Sequence, residues 1–177
     1  SYLKDSTVGY LKIRGFTNGP YQELYDEFFA EIDTAGCTSI IIDLRDNLGG
    51  RLVEIHYLMK YLAKEEFTTM ADMESKTKIP RTKAIWSNNN TPLLVLIKTI
   101  ATPFLYTYEQ VTSKKKNGIV YHTMKASKPA QPFINSFKGD VYVLINGNSF
   151  SASSIISSNL QGSERATIVG EETGGTF

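Results

Sequence analysis

GDVYVLINGNSFSASSIISSNL, residues Gly139 to Leu160, runs an apolar strand into a small-residue turn and then into a helix. Val141, Val143 and Ile145 alternate with Tyr142 and Leu144, all good strand formers, and a run that is apolar on both faces predicts a strand buried inside a sheet. Asn146-Gly147-Asn148 breaks it. Ala152, Ile155, Ile156 and Leu160 then recur at helical spacing, with Ser149 or Ser151 able to cap the helix, so the orphan N–H groups of its first turn point at the capping region. A hydroxyl placed there has an oxyanion site beside it. Read alone, the stretch favours the plainer meaning, a serine-rich N-cap.

Working outward, Thr38 to Leu44 is a short apolar strand built on Ile40, Ile41 and Ile42, the composition expected where helices cover both faces of a parallel sheet. It ends in Asp43-Leu44-Arg45-Asp46-Asn47-Leu48-Gly49-Gly50, after which Leu52, Ile55, Met59 and Leu62 announce a helix. A double glycine at such a junction lets backbone N–H groups approach a ligand at the positive end of a helix dipole. A plain glycine turn is the simpler alternative. His56, on the edge of that helix's apolar stripe, reads as a partly buried structural histidine and is kept as a weak candidate base. Val8 to Phe16 is a further strand, and Thr17 to Pro20 a turn. Tyr21, Leu24, Tyr25, Phe28, Phe29 and Ile32 then form one broad helical stripe, with Gly36 as a stop signal. Strand, helix, strand predicts a right-handed crossover. After Gln161-Gly162, Ala166 to Val169 is another buried strand, followed by Gly170-Glu171-Glu172-Thr173-Gly174-Gly175. Three strand ends thus carry special backbone chemistry, and in an α/β sheet ligands gather outside such carboxyl ends.

At 177 residues and 41% hydrophobic, the chain is expected to form one catalytic-core domain, residues 1–177, trimmed from a longer protein. A net charge of +1 argues against nucleic acid, and Lys114-Lys115-Lys116 reads as a solvated loop. Cys37 is alone, which excludes an internal disulfide, and two histidines, His56 and His122, leave little for zinc; no metal or cofactor is expected. Pro92 to Ile97, the longest apolar run, is too short to span a bilayer. The middle, Glu65 to Lys138, is less informative. Phe67 to Met70 and Ala84 to Trp86 are predicted as short strands, Thr91 to Tyr108 as a helical excursion or substrate-side cover, Gly118 to Met124 as a strand, and Lys128 to Phe137 as a loop. This middle third is where an insertion would sit.

Taken together, these residues resemble a known family. Asp43 to Gly50 matches the pattern D-L-R-x-N-x-G-G, Ser151-Ala152-Ser153 follows Val-Leu-Ile-Asn as a nucleophile segment does, and Val169 to Gly175 matches V-G-E-x-T-G-G. The three blocks, in this order, resemble the C-terminal-processing and tricorn-type serine peptidases. The resemblance implies an α/β fold with a crotonase-like (ClpP/crotonase) core of repeated ββα units. It implies Ser151 as nucleophile, the N–H groups of Gly50 and Ala152 as the oxyanion hole, and Gly49, Asn47, Thr173 and Gly174 in support. The partner is then a peptide or protein substrate.

Two departures favour the tricorn-like branch. The processing branch activates its serine with a lysine, where this chain has Thr176, and carries Glu where this chain has Ser154. The tricorn-like branch takes a histidine from an N-terminal region and a carboxylate from beyond this stretch. On that reading the general base lies outside the 177 residues, which alone are expected to have little peptidase activity. Two other readings stay open: a peptide- or apolar-ligand-binding module similar to the retinoid-binding proteins of the eye, and, ranked last, an acyl-CoA enzyme of the wider crotonase-like group. Location follows only from the resemblance, which implies the cell envelope or outside the cell. Oligomeric state is not readable.

Overall fold

The computed structural model describes residues 7–17, 19–70, 73–87, 91–122 and 128–175. It divides into two compact units, Ser1–Met70 with Lys128–Phe177, and Ala71–Ser127.

The first unit is built on a four-stranded, all-parallel sheet in the order β1 (Val8–Lys12), β2 (Ser39–Asp43), β6 (Asp140–Ile145), β7 (Thr167–Gly170). Its helices are α1 (Tyr21–Thr34), α2 (Leu52–Leu62) and α5 (Ala152–Gly162). Ile40, Ile42, Val141 and Val143, which share one face, are buried, but the expectation of a sheet covered on both faces is corrected: on the other face Ile41 is half-buried and Tyr142 and Val169 are exposed, so the apolar runs bury alternate residues. The predicted stripe on α1 buries Tyr25, Phe28, Phe29 and Ile32, while Leu24 is exposed. Phe29 stacks on Tyr61 of α2 with ring centroids 4.2 Å apart, so the aromatic residues of the two helices form the core on that side. The register sets Asp43 beside Leu144 and Ile145 beside Gly170, which brings the carboxyl ends of β2, β6 and β7 level with one another. The first strand is shorter than the sequence suggests. It ends at Lys12, and Phe16 instead forms an isolated parallel bridge with Gly50.

The second unit holds α3 (Pro80–Ser87), α4 (Pro92–Thr112) and an antiparallel sheet ordered β3 (Met73–Ser75), β5 (Ile119–His122), β4 (Ser113–Lys116). Three expectations are corrected in the middle of the chain. Phe67 makes only a single bridge with Ala130, and Ala84 to Trp86 lies inside α3, because Glu109 accepts the N–H groups of Arg81 at 2.7 Å and Thr82 at 3.1 Å and so caps that helix from a distant residue. Lys114, Lys115 and Lys116 are solvent-exposed but lie on β4, paired to β5, rather than in a loop. Thr91 to Tyr108 is helical, and α4 runs through Pro103 to Thr112. Asn18, Met124 and Thr176 fall outside the described residues.

Candidate active site at the carboxyl ends of the parallel strands

The segment Asp43 to Gly50 leaves β2 on a rigid footing. The Asp43 carboxylate is 1% exposed and accepts hydrogen bonds from Tyr10 Oη at 2.7 Å, Lys12 Nζ at 3.1 Å, and the N, Nε and Nη2 of Arg45 at 3.0, 3.0 and 2.8 Å. The Arg45 guanidinium, with Tyr10 and Lys12 beside it, holds this carboxyl far below the ordinary carboxylate range against the opposing effect of burial. Buried Asn47 then fixes the following turn from both sides. Its Nδ2 donates to Ile13 O at 2.9 Å, and its Oδ1 accepts the Gly49 N–H at 2.8 Å.

The serine-bearing segment is laced onto this one. Asn47 O accepts both the Phe150 N–H at 3.0 Å and the Ser153 hydroxyl at 2.9 Å. Asp46 N donates to Asn146 Oδ1 at 3.0 Å, and Asn146 Nδ2 and Asn148 Nδ2 donate back to Asp46 Oδ1 at 2.9 and 3.0 Å. Those amides, Asn148 first, lower the Asp46 carboxyl. Ser149 Oγ donates to Leu44 O at 2.9 Å. The third segment joins from the other side, where Gly174 N donates to Ser149 O at 3.0 Å and Thr173 Oγ1 to Gly175 O at 3.2 Å. Asn47, Gly49, Gly50, Ser151, Thr173 and Gly174 therefore all lie in three interlinked loops at one end of the sheet, with Ala152 opening α5 beside them.

Among the serines from Ser149 to Ser157, Ser151 alone combines partial exposure with a hydroxyl that has no partner among the described residues; Ser158, two turns further along α5, is exposed. Ser149, Ser153, Ser154 and Ser157 are all buried and hydrogen-bonded. The expectation of a serine cap is corrected here: Ser151 occupies the N-cap position of α5 but makes no side-chain cap hydrogen bond, and Ser149 is turned toward Leu44. The reason is backbone geometry. At φ 52° and ψ −113°, Ser151 holds a conformation that costs a non-glycine residue on the order of 1–3 kcal/mol. Such a bend turns the side chain off the helix axis, as in the strained strand-to-helix turns that expose a nucleophile. The serine spacing in the sequence carries no sign of this bend, and only the resemblance to the peptidase family singles out Ser151.

The two glycines serve that bend. Gly49 has φ +98°, and a Cβ there would meet Phe150 O at 2.6 Å, Ala152 N at 2.8 Å and Ser151 Cβ at 2.8 Å. Gly50 has φ +139°, and its bare Cα faces Phe16 O, which accepts Arg51 N at 2.7 Å. The backbone thus brings Gly49 against Ser151 and Ala152. The N–H groups of Gly50 and Ala152 have no acceptor among the described residues.

The histidines are engaged elsewhere. His56 Nδ1 is 2.8 Å from Thr69 Oγ1, and His122 Nε2 is 3.2 Å from Thr77 O. No group of three or more potential metal ligands occurs among the described residues, and no helix among them is long and apolar enough to cross a membrane. Sequence reasoning missed Glu54 entirely. It is 4% exposed on α2, its Oε1 accepts the Tyr25 hydroxyl at 3.0 Å, its Oε2 has no hydrogen-bond partner, and burial pushes its carboxyl upward.

A search of curated proteins finds no match to this chain. Similar solved structures include one from Parabacteroides merdae assigned as a peptidase, at 19% identity and a TM-score of 0.60, covering 98% of this chain and 42% of that one. The photosystem II D1 C-terminal processing protease is 18% identical with a TM-score of 0.55, covering 94% of this chain and 31% of that one. Mature CPAF is 16% identical with a TM-score of 0.59, covering 94% and 37%. The chain thus spans less than half the length of each, and at these identities the likeness is one of fold. The family model for peptidase family S41 matches residues 7–177. The motif blocks and that match agree, and the chain belongs to peptidase family S41, a family of serine peptidases.

Proposed function

We propose that the protein carrying this chain cleaves peptide bonds by an acyl-enzyme mechanism on Ser151, within a crotonase-like core. The observation that carries the reading is the combination at Ser151 of a strained, uncapped, partner-free hydroxyl with the unspent N–H groups of Gly50 and Ala152. Ser151 Oγ bonds to the substrate carbonyl carbon while its proton passes to a base. The carbonyl oxygen takes the negative charge and accepts from the two N–H groups, and collapse breaks the C–N bond as the amine leaves with the proton. Water then attacks the ester, releasing the acid and restoring the hydroxyl. Each fixed donor contributes on the order of 3 kcal/mol to the transition state because it needs no reorganisation as charge develops. In this reading neither His56 nor His122 is the base, which the full-length protein supplies from elsewhere. Leu48 and Phe150, both exposed and next to Gly49 and Ser151 in the chain, favour apolar substrate side chains at the cleavage point. Family membership favours cleavage over the ligand-binding module, and nothing in the site speaks for the acyl-CoA reading.

A panel of fluorogenic peptides offered to the full-length protein tests this. Hydrolysis biased to apolar residues and lowered at least about 1,000-fold by Ser151→Ala is expected. Full activity in that variant would remove Ser151 from the mechanism.

A further inference from the structure

The helix α4 carries an apolar seam. Leu93, Ile97, Ile100, Phe104, Thr107 and Val111 follow one another at intervals of four, three, four, three and four residues, the heptad spacing by which one helix packs along another. All six are exposed, the apolar five between 52 and 79%. The opposite side of the helix is the one already used. Glu109 is buried against α3, bonded to Arg81 and Thr82, and Thr102 accepts the Trp86 indole N–H at 2.8 Å. The seam therefore points away from α3, the helix that α4 packs against among the described residues of its unit.

We propose that this seam is an interface with a second copy of the same chain, α4 against α4 about a two-fold axis. Three observations select that occupant. Heptad spacing asks for a helix rather than a flat or irregular surface. The positions flanking the seam are Leu94, Leu96, Ala101, Pro103, Tyr108 and Gln110, all uncharged, so two identical faces meet without like-charge repulsion. The seam is also long: eight large apolar side chains on or beside it, from Leu93 to Val111, are 41 to 79% exposed along about 27 Å of helix, a strip able to supply much of the roughly 800 Å² per partner of a standard interface. A membrane surface fits less well, since helices that lie on bilayers present a basic polar face, and here the polar face is closed by Glu109.

Sedimentation velocity of the full-length protein tests the inference. Ile100 is exposed, so Ile100→Lys and Ile100→Glu leave the fold intact, as circular dichroism will show. A dimer at micromolar concentration is expected, with dimer dissociation constants raised at least about 100-fold by either substitution and association restored when the two variants are mixed. Three results would overturn it: a monomeric parent, as expected if its own remaining polypeptide covers the seam; a dimer indifferent to both substitutions; or vesicles of phosphatidylcholine and phosphatidylglycerol capturing the parent through Ile100 while it remains monomeric.

Discussion

Ser151 holds its unusual backbone at a cost the rest of the site sustains. Ser151→Ala removes the hydroxyl but keeps the strain, whereas Ser151→Gly removes both. We expect the glycine variant to be more stable than the alanine variant by about 1 kcal/mol, the relief of strain exceeding the loss of unfolded-state restriction. Thermal unfolding of the two variants side by side reads this as a Tm difference of about 2–4 °C. Asp43 and Glu54 act oppositely on stability. The Asp43 carboxyl is lowered in the fold, so its contribution is complete above the unfolded carboxylate pKa near 4 and fades as pH falls below it. Asp43→Asn, which sets an amide against five donors, is expected to cost about 3 kcal/mol at pH 7, with the gap to wild type closing as urea titrations move below about pH 4. The Glu54 carboxyl is raised, so its favourable state is complete below the unfolded pKa and is lost as pH rises through the folded one. Wild type should therefore lose stability relative to Glu54→Gln as pH climbs above about 4.3, in the same urea series.

At the scale of elements, the site is three loops closed on each other by backbone and amide contacts. Gly49 is the tightest of these closures. Gly49→Ala must move Phe150, Ser151 or Ala152, all backbone or Cβ neighbours with little freedom to yield, and must also hold φ +98°. The expected result is a loss of about 2 kcal/mol or more of stability together with loss of peptidase activity, measured by denaturant unfolding and peptide hydrolysis on one preparation. Unchanged values in both would mean that the loops are not packed as described. Elements of this kind explain which parts of the sequence spoke clearly. The parallel strands declared themselves through Ile40 to Ile42 and Val141 to Ile145, whose apolar runs have one physical use, and α1 through a stripe too aromatic to leave in water. Ala84 to Trp86 misled because a three-residue apolar run has no period of its own; the carboxylate that makes it helical, Glu109, lies 27 residues from Thr82.

At the scale of the whole molecule, the fold and the site were legible to different depths. The convergence of the three loops followed from the rule that sites gather at carboxyl strand ends, whereas the strand order did not. Conformation at single residues did not: the φ of Ser151, the burial of Glu54 and the exposure of the α4 seam depend on contacts between segments far apart in sequence. The family resemblance names Ser151, Gly50 and Ala152 as a set, and the proposed acyl-enzyme mechanism rests on that set. That set is the centre of the account, and covalent labelling addresses it most directly. The full-length protein is treated with a fluorophosphonate and the adduct located by peptide mass spectrometry. One adduct is expected, on Ser151, absent in Ser151→Ala. An adduct on Ser149, Ser153 or Ser154, or a protein that hydrolyses peptides while Ser151 stays unlabelled, would contradict it.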